Sequence, residues 1–452
     1  MSTTSESYDQ RKDNRELKDF DGDYGYPFLG KTISLVKDPY ILMQDHYDKY
    51  GPVSRMAFVR GQRSLLMLGP EYNQPILFDR DRNFSSKTGY AGSLGHFYEE
   101  GLLLKDFDEH KKLRRATQPA FKTDSLKDYV RMVQPIQESH IDKLPTNEEI
   151  SLFPLVKETL LDVASNVFVG INASDKEAKE LSKNFIKVSD GLITPLPYPI
   201  PFSKYWKGQK AKLKLKAFFE EKINVRRDSD NPDIFTQVTK AKTEEDEYLT
   251  NQEISGHMSF LLFAAHDTTT STLLNLMFYL GKNKNWQDRL REEVLSINKK
   301  ELDYEDLNSM TDTELAFKET LRLHPSVMML TRRNIDKTEI EGHKIPADTI
   351  LTLSPSFVHR MPEWWDDPLK FDPERFSDSR AEDKRHPFSY IPFGGGAHKC
   401  IGMHFALLNL RIFIFQTLKK YSIEIDEDYN PYFQSFPMPM PSDGLKVKLK
   451  KL

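Results

Sequence analysis

The 452 residues are enough for a very large core, and 38% hydrophobic with 29% charged residues describes an ordinary globular protein, not a disordered or fibrous one. A net charge of −4 gives no global reason to bind nucleic acid, and one cysteine excludes an internal disulfide framework and fits a reducing compartment. The start of the chain, "MSTTSESYDQRKDNRELKDF", has neither an apolar h-region nor a spanning helix, so no membrane anchor and a cytoplasmic location are expected.

In chain order, residues 1–20 read as a polar, disordered tail, and one folded unit is expected over 21–452. "VSRMAFVRGQRSLLMLG" (53–69) predicts two short strands around a turn at Arg60–Gly61. From about 108 to 300 the pattern is mostly helical, with long segments at 208–227 and 251–282. "TPLPYPIPF" (194–202) carries four prolines and must be a loop. Short strand-like runs return near 338–354, and a last long helix covers 401–420. There is no internal repeat and no low-complexity linker, which argues for a single interlocked unit.

The one cysteine, Cys400, stands in "FGGGAHKCIG" (393–402). A lone cysteine is most often a small buried hydrophobe. Three glycines beside it argue otherwise, because glycine suits positive φ or close backbone approach. An apolar helix follows at once, and a sulfur at a helix N-terminus is favoured as thiolate. A lone thiolate on a shielded loop suits one axial bond to haem iron.

Phe393, Gly396, Cys400 and Gly402 match F-x-x-G-x-x-x-C-x-G, and in this the chain resembles the cytochrome P450 family from about residue 26 to 450. The resemblance is to soluble, bacterial-type members. It implies a mainly α fold with small β-sheets, and haem b (iron protoporphyrin IX) with Cys400 as metal ligand. Phe393 would pack beside the sulfur and Gly402 would let the porphyrin lie close. His398 stands where most members have Arg, a departure shared with the sterol demethylase branch, where that His meets a haem propionate.

Three further motifs follow the family's order. Glu319 and Arg322 of "ETLR" with Arg375 of "FDPERF" match a buried structural network that clamps the segment leading to the haem loop. "FAAHDTTTST" (263–272) puts an Asp and β-branched Thr into a run of apolar residues. Taken alone, its hydroxyls bond back to their own helix and Asp267 finds a salt bridge. With the haem loop, Asp267 and Thr268 match the family's acid–alcohol pair, and Ala264 and Ala265 the small residues that leave room for dioxygen. Ala265 replaces the usual Gly, and His266 reads as a neighbour. In "HKKLRRATQPAF" Arg114 falls at a propionate position and His110 replaces a Trp; Arg332 of "MLTRRN" and His398 complete the propionate candidates.

The resemblance implies a haem-thiolate monooxygenase that activates dioxygen and hydroxylates or oxidatively demethylates a small lipophilic substrate. A peroxygenase using hydrogen peroxide and a non-enzymatic haem sensor or lipophile carrier are the alternatives, and the Asp267–Thr268 step argues against both. Electrons are expected from a separate ferredoxin or flavodoxin and its reductase, and the protein is expected to be a monomer. Lys111, Lys112, Arg115 and Lys399 are the expected docking charges. Tyr90, Phe97, Tyr98, Ser326 to Met329 and the 433–441 turn are the expected pocket wall, with a terpenoid, steroid or fatty-acyl substrate preferred and a methyl ether open. Sterol demethylation itself is in doubt, because that branch carries His where Asp267 stands.

Overall fold

Buried apolar positions, Val53, Met56 and Ala57 on one strand and Leu65 to Met67 on the next, bring the first strands together. β1 (Val53–Phe58) and β2 (Gln62–Met67) pair antiparallel from Val53↔Met67 to Phe58↔Gln62. The computed structural model describes residues 17–59, 62–172, 174–194 and 198–452, so the Arg60–Gly61 turn and most of the expected tail lie outside the described residues. Leu17 and Phe20, inside the segment read as tail, are buried against the sheet. β3 (Phe84–Ser85), β4 (Leu330–Asn334) and β5 (Ile350–Leu353) complete a five-stranded sheet in the order β1-β2-β5-β4-β3. β2 and β5 run parallel, which joins strands nearly 300 residues apart in sequence (Leu65↔Leu351).

The remainder is helical. α1 (Phe107–Thr117), α2 (Thr123–Ile141) and α3 (Leu152–Val163) lead to α4 (Lys176–Leu192) and α5 (Lys204–Arg227), which cross at Gly191 and Gly208. A Cβ on either glycine would stand about 3 Å from the other's Cα, so these two helices approach with nothing between them. The described part of 194–202 is non-helical, as its prolines require; 195–197 lie outside the described residues.

α6 (Asn251–Lys282) starts at a capping box, in which Thr250 and Glu253 satisfy each other's backbone N–H groups. It packs against α3, α5, α7 (Thr311–Leu323) and α8 (Met403–Lys420) and is the axis of the main core. The segment Gly396–Lys420 is long and apolar enough to cross a membrane, yet 67% of its apolar stretch is buried inside the protein. α8 is a core helix, and it begins two residues later than the sequence suggested. The mainly α fold with small sheets is as expected.

Candidate active site

The loop before α8 is shaped by glycine and closed by one backbone bond. The Cys400 N–H donates to the Phe393 carbonyl at 2.9 Å, so Phe393 is tied to Cys400 through its backbone while its ring lies against Phe317. Gly396 has φ +62°, and a Cβ there would lie 1.8 Å from the Leu77 carbonyl oxygen, so only glycine fits. Gly402 is a different case. Its φ of −89° suits any residue, and a Cβ there would meet only the Cys400 sulfur, at 4.0 Å. Nothing among the described residues demands that glycine; a flat group lying over the sulfur would.

Cys400 keeps accessible surface although protein surrounds it closely. Burial pushes its pKa up; the Gly402 and Met403 N–H groups and the Arg114 and Lys399 charges pull it back without prevailing. The helix terminus does face the sulfur, as expected, but does not by itself make a thiolate. A recess of about 610 Å³ reaches Cys400 between Arg114, Gln118, Phe121, Tyr304, Lys399 and His404, and no residue of α6 lines it.

Beside the loop is a group of basic side chains with no ion-pair partner among the described residues. The His110 and His398 rings lie 3.9 Å apart, and Arg114 and Arg332 make no ion pair among the described residues. His110 Nε2 is buried with no hydrogen-bond partner. Burial, with Arg114 and Arg332 adding to it, pulls His110 down to about 4; burial and the same positive neighbours hold His398 well below its ordinary value. Four basic side chains gathered with no carboxylate paired to them are the donor set that two propionates need. The thiol, the unfilled space at Gly402 and this donor set all fit haem.

On α6, Leu261, Leu262 and everything from Thr270 to Met277 are buried, but 263–265 and 267–269 keep accessible surface. The helix therefore opens a window where the unusual motif lies. The Thr268 hydroxyl donates to the Ala264 carbonyl at 2.7 Å, and Thr269 does the same to Ala265. Asp267 Oδ1 lies 2.9 Å from His266 Nδ1, and His266 Nε2 lies 3.3 Å from the Lys157 carbonyl. A carbonyl only accepts, so Nε2 carries hydrogen, and one proton is left between Nδ1 and the carboxylate. Burial pushes the Asp267 pKa up, but the bond and charge from His266, with Lys157, more than offset it and leave it lowered. His266, first read as a neighbour, is thus the partner of the acid. A His directly before an Asp in a buried helix was the signal.

The Glu319 network is present and larger than the motif showed. Arg322 donates to Glu319 at 2.6 and 2.9 Å, Arg375 donates to Glu319 at 3.1 Å, and all three side chains are fully buried. Glu382, also fully buried, accepts from Arg375 at 2.7 Å and balances the second arginine. Sequence reasoning missed Glu382. It also missed His359, whose carbonyl accepts from Arg322 at 2.8 Å and whose Nε2 accepts from the Ile391 N–H at 2.9 Å. Ile391 opens the turn of the cysteine loop, so this chain of bonds is how the network holds the loop.

The expected pocket wall is divided. The Tyr98 ring stacks on Phe263 at 4.6 Å, and Phe97 sits over the Gly191–Gly208 crossing. Tyr90 is a backbone prop, its hydroxyl accepting from the Thr331 N–H. Ser326 donates to the Thr268 carbonyl at 3.0 Å. In the 433–441 turn, Phe433 stacks on His324 in the core, and Ser271 and Asn275 of α6 hold the Pro439 carbonyl. Of the expected docking charges, Lys112 pairs with Glu253 and Arg115 with Glu244.

A mainly helical fold around a cysteine loop, a cluster of four basic side chains beside it and a helix window holding Asp267 and Thr268 points to a class, and the whole chain agrees. The family Cytochrome P450 matches residues 21–449, and the chain belongs to it: it is a haem-thiolate monooxygenase whose cofactor is haem b. Cytochrome P450 136 of Mycobacterium tuberculosis is 32% identical over 443 residues, covering 96% of this chain and 89% of that protein. Taxane 10-beta-hydroxylase of Taxus cuspidata is 28% identical, covering 95% and 89%. The retinoic acid-bound structure of cyanobacterial CYP120A1 superposes with a TM-score of 0.86 at 27% identity, covering 96% of this chain and 99% of that one.

Proposed function

We propose that this enzyme hydroxylates a lipophilic, isoprenoid-type compound, using electrons from a separate ferredoxin- or flavodoxin-class protein and its reductase. The observation that carries the reading is the aromatic wall at the helix window: Tyr98 stacks on Phe263, one turn before Asp267 and on its face of the helix. Taxanes and retinoic acid, named with two relatives, are both isoprene-built lipophiles.

Haem bound through Cys400 supplies the iron that binds and reductively activates dioxygen. Arg114, Arg332, His110 and His398 would hold its propionates. Phe393 and Gly402 would flank it on the cysteine side, and Ala264 and Ala265 across α6. The chain's own work is proton supply and shielding. Asp267 and His266 keep one proton between them beside the window, and Lys157 holds that pair to α3 through its carbonyl. The Thr268 hydroxyl is kept on the Ala264 carbonyl until a better acceptor replaces it, so it can present its proton without leaving the helix. Electrons would enter from the recess side. There Lys111, Lys122 and Lys399 are exposed without an ion pair among the described residues, which suits an acidic donor and acts on association rate.

The deciding measurement is a panel of difference spectra with a retinoid, a diterpene, a sterol, a fatty acid and a small methyl ether. A low- to high-spin shift with the isoprenoids is expected. A shift with the methyl ether alone overturns the reading.

A further inference from the structure

The turn of α6 that follows Asp267 is built from hydroxyls. Thr268, Thr269, Thr270 and Thr272 each donate to the carbonyl four residues before, at 2.7, 2.7, 2.9 and 2.9 Å. Threonines bonded back in this way loosen and bend a helix, so the course of this turn depends on what meets it from outside. Two ties leave α6 through its own side chains: His266 donates to the Lys157 carbonyl of α3, and Ser271 donates to the Pro439 carbonyl at 2.7 Å. Neither of these bonds is to the Thr268 peptide.

Ser326 does bond there. It stands in the buried part of the segment 324–329, which joins α7 to β4. Its hydroxyl lies 3.0 Å from the Thr268 carbonyl oxygen and 3.0 Å from the Thr272 hydroxyl, which is itself 2.9 Å from that carbonyl. A carbonyl only accepts and each hydroxyl brings one hydrogen, so two hydrogens serve three contacts. Whichever contact goes without, Ser326 stays bonded into the Thr268 turn. The segment is a firm base for it. Arg360 donates to the Leu323 carbonyl, the Tyr279 hydroxyl lies 2.9 Å from His324 Nε2, and Ser356 donates to the Met328 carbonyl at 3.4 Å. A buried serine needs some partner for its own sake, and any carbonyl would serve. Here the partner is the peptide of Thr268, and a loosened turn is tied at that residue to a fixed one.

We propose that Ser326 is a positioning residue for oxygen activation: its hydroxyl fixes the Thr268 peptide and so holds the Thr268 hydroxyl at one place in the helix window. This rests on the reading of Thr268 as the hydroxyl that presents a proton.

The test is the infrared carbon–oxygen stretch of the haem-loaded, dithionite-reduced protein under carbon monoxide. That band reads the polar groups beside the bound gas and needs neither substrate nor redox partner. The wild type is expected to give one dominant band, and Thr268→Ala a displaced one. Ser326→Ala should let the turn take a second course, so that a minor band grows about fivefold, the worth of one net hydrogen bond. Ser326→Thr, which keeps the hydroxyl, should return the wild-type band. In a Thr268→Ala background Ser326→Ala should add nothing, because the serine acts through that hydroxyl. Haem content and melting temperature check that the variants fold. A Ser326→Ala band equal to the wild type, or the same change with and without Thr268, overturns the proposal and leaves the reading of Thr268 in place. A Thr268→Ala band equal to the wild type overturns that reading, and the proposal with it.

Discussion

α7 and α6 both carry ionisable groups into the interior, and they treat them in opposite ways. On α7, Glu319 and Arg322 are saturated: each oxygen and nitrogen of the pair has a partner, and Arg375, Glu382 and the His359 carbonyl complete the set. On α6, Asp267 has one partner among the described residues and shares one proton with it, the Thr268 hydroxyl is bonded only within its own helix, and both residues keep accessible surface. Saturated charge cannot exchange protons and serves shape. Charge left partly open at a window can move a proton and serves chemistry.

The largest effect should therefore come from breaking the saturated set. Glu319→Ala or Arg375→Ala leaves a buried charge uncompensated at a cost of roughly 3–5 kcal/mol. Little haem-loaded protein should be recovered, as read by absorbance ratio and thermal melting. Glu382→Ala, which no motif marks, should behave the same way because it balances Arg375 from the other side. Normal yield of all three would show that the network is dispensable.

Next is the ligand. Cys400→Ser should fold yet lose the red-shifted Soret band that the reduced wild type gives under carbon monoxide. A histidine-type band in the wild type would falsify the assignment of Cys400.

The motifs made this division only partly legible. Cys400 and Gly402, Glu319 and Arg322, and Arg375 could be placed because each stands in its own short motif. Glu382 and His359 could not, because they reach the network through loops whose sequence has no period. The Asp267–Thr268 step was legible as poor helix formers in an apolar run, but the proton shared with His266 depends on where the Lys157 carbonyl falls, a contact 109 residues away in sequence. Likewise Lys112 and Arg115 read as bare docking charges until tertiary structure brought Glu253 and Glu244 to them.

Opening the α6 pair further should cost rate and not fold. Asp267→Asn keeps an acceptor but no ionisable relay, so turnover should fall about 10²-fold with a raised solvent isotope effect. Thr268→Ala should keep haem and substrate affinity while diverting electrons into peroxide. His266→Phe should lower turnover less than Asp267→Asn and shift the acid limb of the pH–rate profile upward, because Asp267 loses the partner that holds its pKa down. Unchanged coupling, isotope effect and pH profile in these variants would make α6 as inert as α7.

The smallest effect tests whether openness on α6 always means function. His257, two turns before the window, is fully buried on the same helix, and neither ring nitrogen has a hydrogen-bond partner among the described residues. Its ring lies parallel to Phe260, and burial alone pulls it down to about 3. The folded protein therefore keeps His257 neutral, while the unfolded chain takes up a proton below about 6.5. Stability from this group is intact above that pH and falls as pH drops toward the folded value, by at most about 1.4 kcal/mol per pH unit. His257→Phe removes two unsatisfied nitrogens from an apolar site, so melting temperatures between pH 6 and pH 4 should fall less steeply than in the wild type. Turnover at neutral pH should be unchanged, because no bond links His257 to the Asp267 pair. Should the substitution instead leave the acid slope alone and depress turnover, His257 belongs to the reaction, and an unpartnered polar group on α6 marks chemistry along its whole length.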